Sequence, residues 1–274
     1  PPQGAHDGPA LEPRPGCRSR RAMKHILSSA NVEVLAQFAW SRVLLAFDFD
    51  GTLAPIVSAR DDARMRASTS ALFDRLCGLY PCAVISGRGR DDVARRTNGA
   101  ALVHILGNHG LEPDENMALF EQQIARVLPA LEAALDDVPG VDLENKRFSL
   151  AVHYRRSRSK RLARKRIHEA VAALGLKLRT IPGKLVVNVL PERAPHKGDA
   201  LVRLRAQEGA DTAVYVGDDA TDEDVFELDQ PGRLLSIRVG RSLKSRAPYY
   251  LRHQREIDAF LRRLIAFRTP EPRA

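Results

Sequence analysis

Two aspartates, Asp48 and Asp50, follow the apolar run Val43-Leu44-Leu45-Ala46-Phe47, and Gly51 comes directly after them. Residues two apart on a strand point to one side and sit roughly 7 Å apart. Carboxylates held that close repel unless a cation or a shared proton relieves them. A hard divalent ion such as Mg2+ would do so through oxygen ligands. An ordinary Asp/Gly surface turn fits the same residues, so this segment alone leaves both readings open. A second acidic run, VYVGDDATDEDVF, places Asp218, Asp219, Asp222, Glu223 and Asp224 within seven positions. Acids favoured in the first turn of a helix account for the last three. They do not account for Asp218 and Asp219 at the end of an apolar strand. Two strands that deliver acids to one edge are the pattern of a metal site.

Two smaller segments supply other chemistry. Ser86-Gly87-Arg88 follows the strand-like Cys82-Ala83-Val84-Ile85, where a hydroxyl and free backbone N–H groups could hold phosphate oxygens. A simple serine-glycine helix cap is the alternative. Lys197 stands at the beginning of a helix in APHKGDAL, the end that unpaired lysines avoid. Plain surface placement is its alternative.

The elements that must position these groups read as follows. Val43 to Phe47 is short, apolar and rich in strand formers, as in a parallel strand buried on both faces. In such sheets ligands gather beyond the carboxyl ends of the strands. Asn31 can cap a helix with the stripe Val34, Leu35 and Phe38. A helix at 68–79, the strand 82–85, a polar helix from 89 and a strand at 101–106 continue an alternation that predicts right-handed crossovers. The rhythm then changes. A helix at 117–135 contains Pro129, and a hairpin turns near Asn145-Lys146. A basic helix runs to Leu174, and another hairpin turns about Pro182-Gly183. Alternation resumes with a helix at Lys197, a strand at 213–216, a helix at 222–228, a strand at 234–239 and a terminal helix. The expected fold class is therefore α/β: a Rossmann-like parallel-sheet core (23–112 plus 191–274) with an inserted α+β cap domain (113–190).

Composition narrows the class of function. The 274 residues are 44% hydrophobic and 28% charged, an ordinary globular balance. No apolar run approaches the roughly 18 residues of a membrane span. Three cysteines, Cys17, Cys77 and Cys82, lack metal-ligand spacing and suit a reducing cytoplasm. Residues 1–22, rich in Pro, Gly and Arg, read as a disordered leader, with Met23 as an alternative start. The net charge of +9 first suggests nucleic acid, but more than half of it lies in 113–190, with 14 basic and nine acidic residues. Its densest part, HYRRSRSKRLARKR, fits a solvated helix face, an anionic small-molecule site or, lacking an aromatic-rich signature, less well an RNA surface.

Taken in order, DFDGT (48–52), SGR (86–88), HKG (196–198) and GDDATDED (217–224) resemble the motifs of the haloacid dehalogenase (HAD) superfamily of phosphatases. LGNHGLE (106–112), HYR (153–155), GK (183–184) and TDEDVF (221–226) are similar to the trehalose-6-phosphate phosphatase family within it, over about residues 40–265. The resemblance implies that Asp48 is a nucleophile forming an aspartyl-phosphate and that Asp50 is the general acid and base. Mg2+ would be held by Asp48, Asp218 and the backbone carbonyl of Asp50. Asp219 is a secondary metal candidate, and Asp222 orients the inner ligands. Ser86 and Lys197 would grip phosphoryl oxygens and keep Asp48 ionised, with Gly51, Thr52, Gly87 and Arg88 lining the phosphoryl site. Asn108, His109, His153, Arg155, Lys184 and Asn188 are the sugar-binding candidates, although both histidines also suit ordinary structural hydrogen bonding. One departure stands out. Family members often carry GK…E.RP, whereas GKLVVNVLPE puts Asn188 at the glutamate position and Leu190 at the arginine position. Asn188 can still bond a hydroxyl but carries no charge.

The expected function is Mg2+-dependent hydrolysis of trehalose 6-phosphate by a cytoplasmic monomer, with no nucleic acid or membrane partner. Hydrolysis of sucrose phosphate or a glycosyl phosphoglycerate is the near alternative. Nucleic-acid binding through the basic helix is the distant one.

Overall fold

The computed structural model describes residues 23–97, 100–102, 104–228 and 230–269, so the leader expected at 1–22 lies outside the described residues. The chain opens with β1 (Lys24–His25), α1 (Val32–Trp40), β2 (Val43–Phe47), α2 (Ala67–Cys77), β3 (Cys82–Ile85), α3 (Arg90–Arg96) and β4 (His104–Leu106). Its middle comprises α4 (Met117–Leu135), β5 (Asp142–Asn145), β6 (Leu150–His153), α5 (Lys160–Ala173), β7 (Leu178–Gly183) and β8 (Val186–Pro191). It ends with α6 (Lys197–Gln207), β9 (Thr212–Gly217), α7 (Glu223–Phe226), β10 (Leu234–Val239), β11 (Tyr249–Leu251) and α8 (Ile257–Arg268).

Seven strands form one parallel sheet in the order β1-β11-β10-β9-β2-β3-β4. The chain runs outward from β2 through β3 to β4, then returns to place β9 on the other side of β2. That reversal makes the β2/β9 boundary the crevice where α/β sheets bind ligands. All five residues of β2 are buried. On one face of the sheet, Phe47 and Val84 pack under Leu35, Phe73, Phe260 and Leu264; on the other, Ala46 and Tyr215 meet Leu201 and Leu204 of α6. Each fully buried large side chain of this kind contributes about 1.5–3 kcal/mol, so the carboxyl ends of β2 and β9 rest on a rigid base.

Residues 142–191 form a separate antiparallel sheet in the order β5-β6-β8-β7. Strand alternation divides its faces. Leu150, Val152, Val187 and Val189 pack against Ile124 and Leu131 of α4 and Ile167 of α5. The register Ala151↔Asn188↔Ile181 defines the opposite face. Two loops join the sheets: Lys146 Nζ donates to Gly87 O at 3.0 Å, and Ser149 Oγ donates to Asn108 Oδ1 at 2.7 Å.

Several local expectations shift. The second hairpin turns at Lys184-Leu185, because Gly183 pairs with Val186. Pro182 lies within β7, paired with Val187, and an edge strand tolerates proline because one side of it makes no ladder bonds. Leu185 takes a left-handed conformation (φ 63°) at the second central position of that turn. The first hairpin loop is 146–149, slightly beyond the expected centre. The strand expected at 101–106 is confined to β4. Asn31 sits at the start of α1, but its amide donates to His25 O and Ser28 Oγ, tying down the preceding loop instead of capping the helix. Strands β1 and β11 hold two and three residues, too few for periodicity to reveal. Pro129 is accommodated inside α4 without ending it.

Candidate active site

The end of β2 sets the first group. Asp48 N donates to Val216 O at 2.9 Å, continuing the ladder, so the Asp48 carboxylate emerges beside the end of β9, 5% exposed. Lys197, at the first position of α6, reaches back with Nζ 2.9 Å from Asp48 Oδ1 and 2.8 Å from Asp222 Oδ1. A cation at a helix N-terminus opposes the dipole. Here two buried carboxylates offset that cost, and the helix start is tied separately by reciprocal bonds between His196 and Asp199. Burial works against the Lys197 charge, but Asp222 and Asp48 outweigh it and hold the ammonium protonated well beyond its ordinary range.

Asp222 is fully occupied. Its Oδ1 also accepts from Tyr215 Oη at 2.7 Å, and its Oδ2 accepts from Asp219 N at 2.9 Å. Both of its oxygens are thus held by groups of the chain itself. Asp219 turns its Oδ1 to Thr221, accepting from both N and Oγ1 at 2.7 Å. Asp218 differs: its Oδ1 is buried without a hydrogen-bond partner. Burial, then Asp222 and Asp219, push the Asp218 carboxyl up to about 8. Burial likewise raises Asp48 and Asp219, against the pull of Lys197. Carboxylate atoms of Asp48, Asp218 and Asp222 lie within 4.8 Å of one another. One lysine does not balance this group. The hard oxygen donors, the orphaned Asp218 oxygen and the excess negative charge all fit a divalent cation of the Mg2+ type. Gly51 makes room for the arrangement: at φ 84°, a Cβ there would fall 2.2 Å from Asp218 Oδ2. A cavity of about 250 Å³ opens beside Asp218, walled by Pro55, Ile56, Val239 and His253.

The Asp50 carboxylate has a partner of its own. Arg88 takes it in a two-pronged pair, Nε to Oδ2 at 2.6 Å and Nη2 to Oδ1 at 2.8 Å, while Arg88 Nη1 holds Asp92 at 2.9 Å. The strand ends at Phe47 and the chain turns at Gly51, so the period of two no longer aligns the side chains. As a metal ligand, Asp50 therefore has only its backbone carbonyl to offer. Ser86 is fully buried at the end of β3, with Oγ accepting from Arg88 N at 3.2 Å. Thr52 is also fully buried, and its Oγ1 lacks a partner.

The remaining candidates divide by location. His109 lies against Gly87, where a Cβ would meet its ring at 2.6 Å. It is 5% exposed and held in a left-handed conformation (φ 62°), with neither ring nitrogen hydrogen-bonded. Burial, then Lys197, Lys146 and Arg179, push its pKa well down, so the ring is neutral. Asn188 approaches that ring from β8 and is 5% exposed. Asn108 is buried and bound to Glu112 and Ser149, which makes it a strut. His153 pairs with Glu144 at 3.0 Å. Arg155 is exposed and donates to Ser58 O at 3.2 Å, and Lys184 stands exposed in its turn. Sequence reading missed Glu144, Lys146 and Arg179. The first two sit in the ENK of a segment read only for its strand pattern, and Arg179 has no local signal.

A parallel sheet with an acidic crevice at its reversal point, Lys197 bridging two aspartates and a buried serine on the adjoining strand define a protein of the HAD fold. The C. albicans trehalose-6-phosphate phosphatase C-terminal domain has this fold, with a TM-score of 0.75 at 21% identity, covering 90% of this chain and 99% of that one. The chain belongs to the trehalose-phosphatase family, whose model matches residues 46–252. It is 35% identical over 243 residues to the trehalose-phosphate phosphatase of Mycobacterium avium, covering 82% of this chain and 58% of that protein. It is 32% identical over 255 residues to probable trehalose-phosphate phosphatase 4 of Oryza sativa, covering 86% and 69%. The chain thus spans well under two thirds of the mycobacterial relative. No helix among the described residues is long and apolar enough to cross a membrane.

Proposed function

We propose that the chain hydrolyses trehalose 6-phosphate to trehalose and phosphate, as a cytoplasmic monomer. The observation that carries this reading is the cluster of Asp48, Asp218 and Asp222 around Lys197, with Asp218 Oδ1 left for a ligand, in a chain of this family. Residues 113–190 act as the cap that covers the sugar, and a cytoplasmic setting agrees with Cys77 and Cys82 being free thiols.

Asp48 attacks phosphorus and forms an aspartyl-phosphate, and the sugar oxygen leaves with a proton from Asp50. Water then attacks the phosphorus of that intermediate. Asp50 takes the water's proton, and phosphate departs with Asp48 restored. Before it can serve, Asp50 must give up its pairing with Arg88, and the arriving phosphoryl group is a competing anion for that guanidinium. Lys197 favours the ionised form of Asp48 and orients it, while Ser86 and Thr52 donate to phosphoryl oxygens beside the backbone of Gly51 and Gly87. Asp48, Asp218 and the carbonyl of Asp50 would hold Mg2+, with Asp219 secondary and Asp222 orienting. When bound, the ion neutralises charge on the phosphoryl group and the carboxylates. His109, Asn188 and His153 face the sugar, with Asn108 bracing their loop and Arg155 and Lys184 at the rim.

A malachite-green assay over a panel of sugar phosphates with Mg2+ tests the reading. Trehalose 6-phosphate is expected to be the preferred substrate. A rate no better than that for simple hexose phosphates, or a preference for sucrose phosphate, rejects it.

A further inference from the structure

Buried polar groups almost always find partners, so the exceptions outline what is missing. Among the described residues, the buried side-chain atoms without a partner are Thr52 Oγ1, Asp218 Oδ1, both ring nitrogens of His109 and Arg179 Nε. The first two belong to the phosphoryl and metal region. The other three involve a core loop and a strand of the smaller sheet. Arg179, the second residue of β7, lies directly opposite Leu190 of β8, the position where the related pattern carries arginine. Alternation puts Arg179 on the same sheet face as Ile181 and Asn188. From that face Asn188 approaches the His109 ring and Arg179 acts on it electrostatically. Arg179 Nη2 is already used, donating to Ala194 O at 2.8 Å and Pro195 O at 2.9 Å. These two bonds fix the guanidinium plane. They leave Nε–H a buried donor on a pre-positioned group, on the sheet face from which Asn188 approaches the His109 imidazole, a ring able to donate at one nitrogen and accept at the other.

We propose that Arg179 is a specificity-determining residue of this chain, its Nε–H donating to a sugar hydroxyl that His109 also contacts. The guanidinium stands on β7 across from Leu190, so one strand position substitutes for the other. This deepens, and rests on, the reading of the site as a sugar-phosphate phosphatase. The ligand group is a hydroxyl, which can accept from Arg179 Nε–H and still exchange a hydrogen bond with the His109 imidazole.

The test is Arg179→Met, with KM and kcat measured on trehalose 6-phosphate and Ki measured for inorganic phosphate in the same assay. A lost hydrogen bond from a charged donor predicts a fall in kcat/KM of about 10- to 150-fold, carried mainly by KM. The Ki of phosphate is expected to stay within about twofold, since phosphate occupies only the Asp48 region. Arg179→Lys, which keeps the charge and lacks Nε–H, is expected to show the same split and serves if the methionine variant fails to fold. If phosphate Ki and kcat/KM worsen together, Arg179 only braces the 194–195 link to Lys197, and the proposal fails. No change in kcat/KM also overturns it. Should wild-type protein prefer another sugar phosphate in the panel, the same measurement is made on that ester, so failure of the substrate assignment is distinguishable from failure of this one.

Discussion

Lys197→Met exposes how much of the fold depends on charge balance at the site. The substitution keeps most of the length and apolar volume of the side chain and removes the ammonium. Lys197 is 1% exposed and bridges Asp48 and Asp222, which are 5% and 0% exposed. Removing one partner of a buried ion pair typically costs about 3–5 kcal/mol, because the other charge is left uncompensated. For a protein of this size each kcal/mol lowers Tm by about 2–4 °C, so the loss is roughly 6–20 °C. The sign with pH follows from Asp48, whose carboxyl burial raises and whose upward shift Lys197 restrains. Without the lysine its folded pKa rises further above the unfolded value of about 3.9. Folded protein then binds more protons than unfolded protein across that window, and stability falls as pH rises through it. Calorimetry in a chelating buffer is expected to show a large Tm deficit at pH 8 that narrows at pH 5.5. A deficit equal at both pH values, or a Tm at pH 8 within about 2 °C of wild type, would refute the charge-balance argument.

Asp48→Asn is expected to lower turnover by about four or more orders of magnitude, while circular dichroism and the metal-free Tm at pH 8 hold or improve, since a buried charge is removed; residual turnover near wild type contradicts the nucleophile assignment. Gly51→Ala forces a Cβ at φ 84° into the Asp218 carboxylate, so Mg2+ binding and activity are expected to fall together; a Mg2+ titration indistinguishable from wild type sinks that account. Because burial and the neighbouring Asp222 and Asp219 push the Asp218 carboxyl up to about 8, Mg2+ binding below that pH is expected to displace a proton. Affinity is expected to strengthen from pH 6.5 to 8 and then level off, with a buffer-dependent binding enthalpy at pH 7. A flat profile and identical enthalpies in two buffers argue against it.

The chemistry-bearing segments were legible because each lies at the end of an element with strong local character. Val43–Phe47 declares a buried strand through five apolar residues, and the acids that follow it are conspicuous for that reason. The same holds for Asp218 after β9 and Ser86 after β3. The alternation of these elements with amphipathic helices implied a parallel sheet, and the change of rhythm after residue 112 implied the second, antiparallel one. Short or edge features escaped: β1 and β11 bury too little to leave a pattern, and Pro182 suggested a turn where an edge strand absorbs it.

What sequence alone determined is therefore which acids, serine and lysine stand at the ends of strands and helices, and the class of fold. Tertiary structure decided their partnerships. Asp50 goes to Arg88, Asp222 closes on Lys197 from 25 residues away, and Asp218 keeps an open oxygen. Arg179 reaches the 194–195 link ahead of Lys197 from another sheet altogether. Periodicity is a local property, set by neighbours along the chain. Which of several nearby charges pairs with which depends on distances between elements far apart in sequence, and on burial that only the assembled core creates.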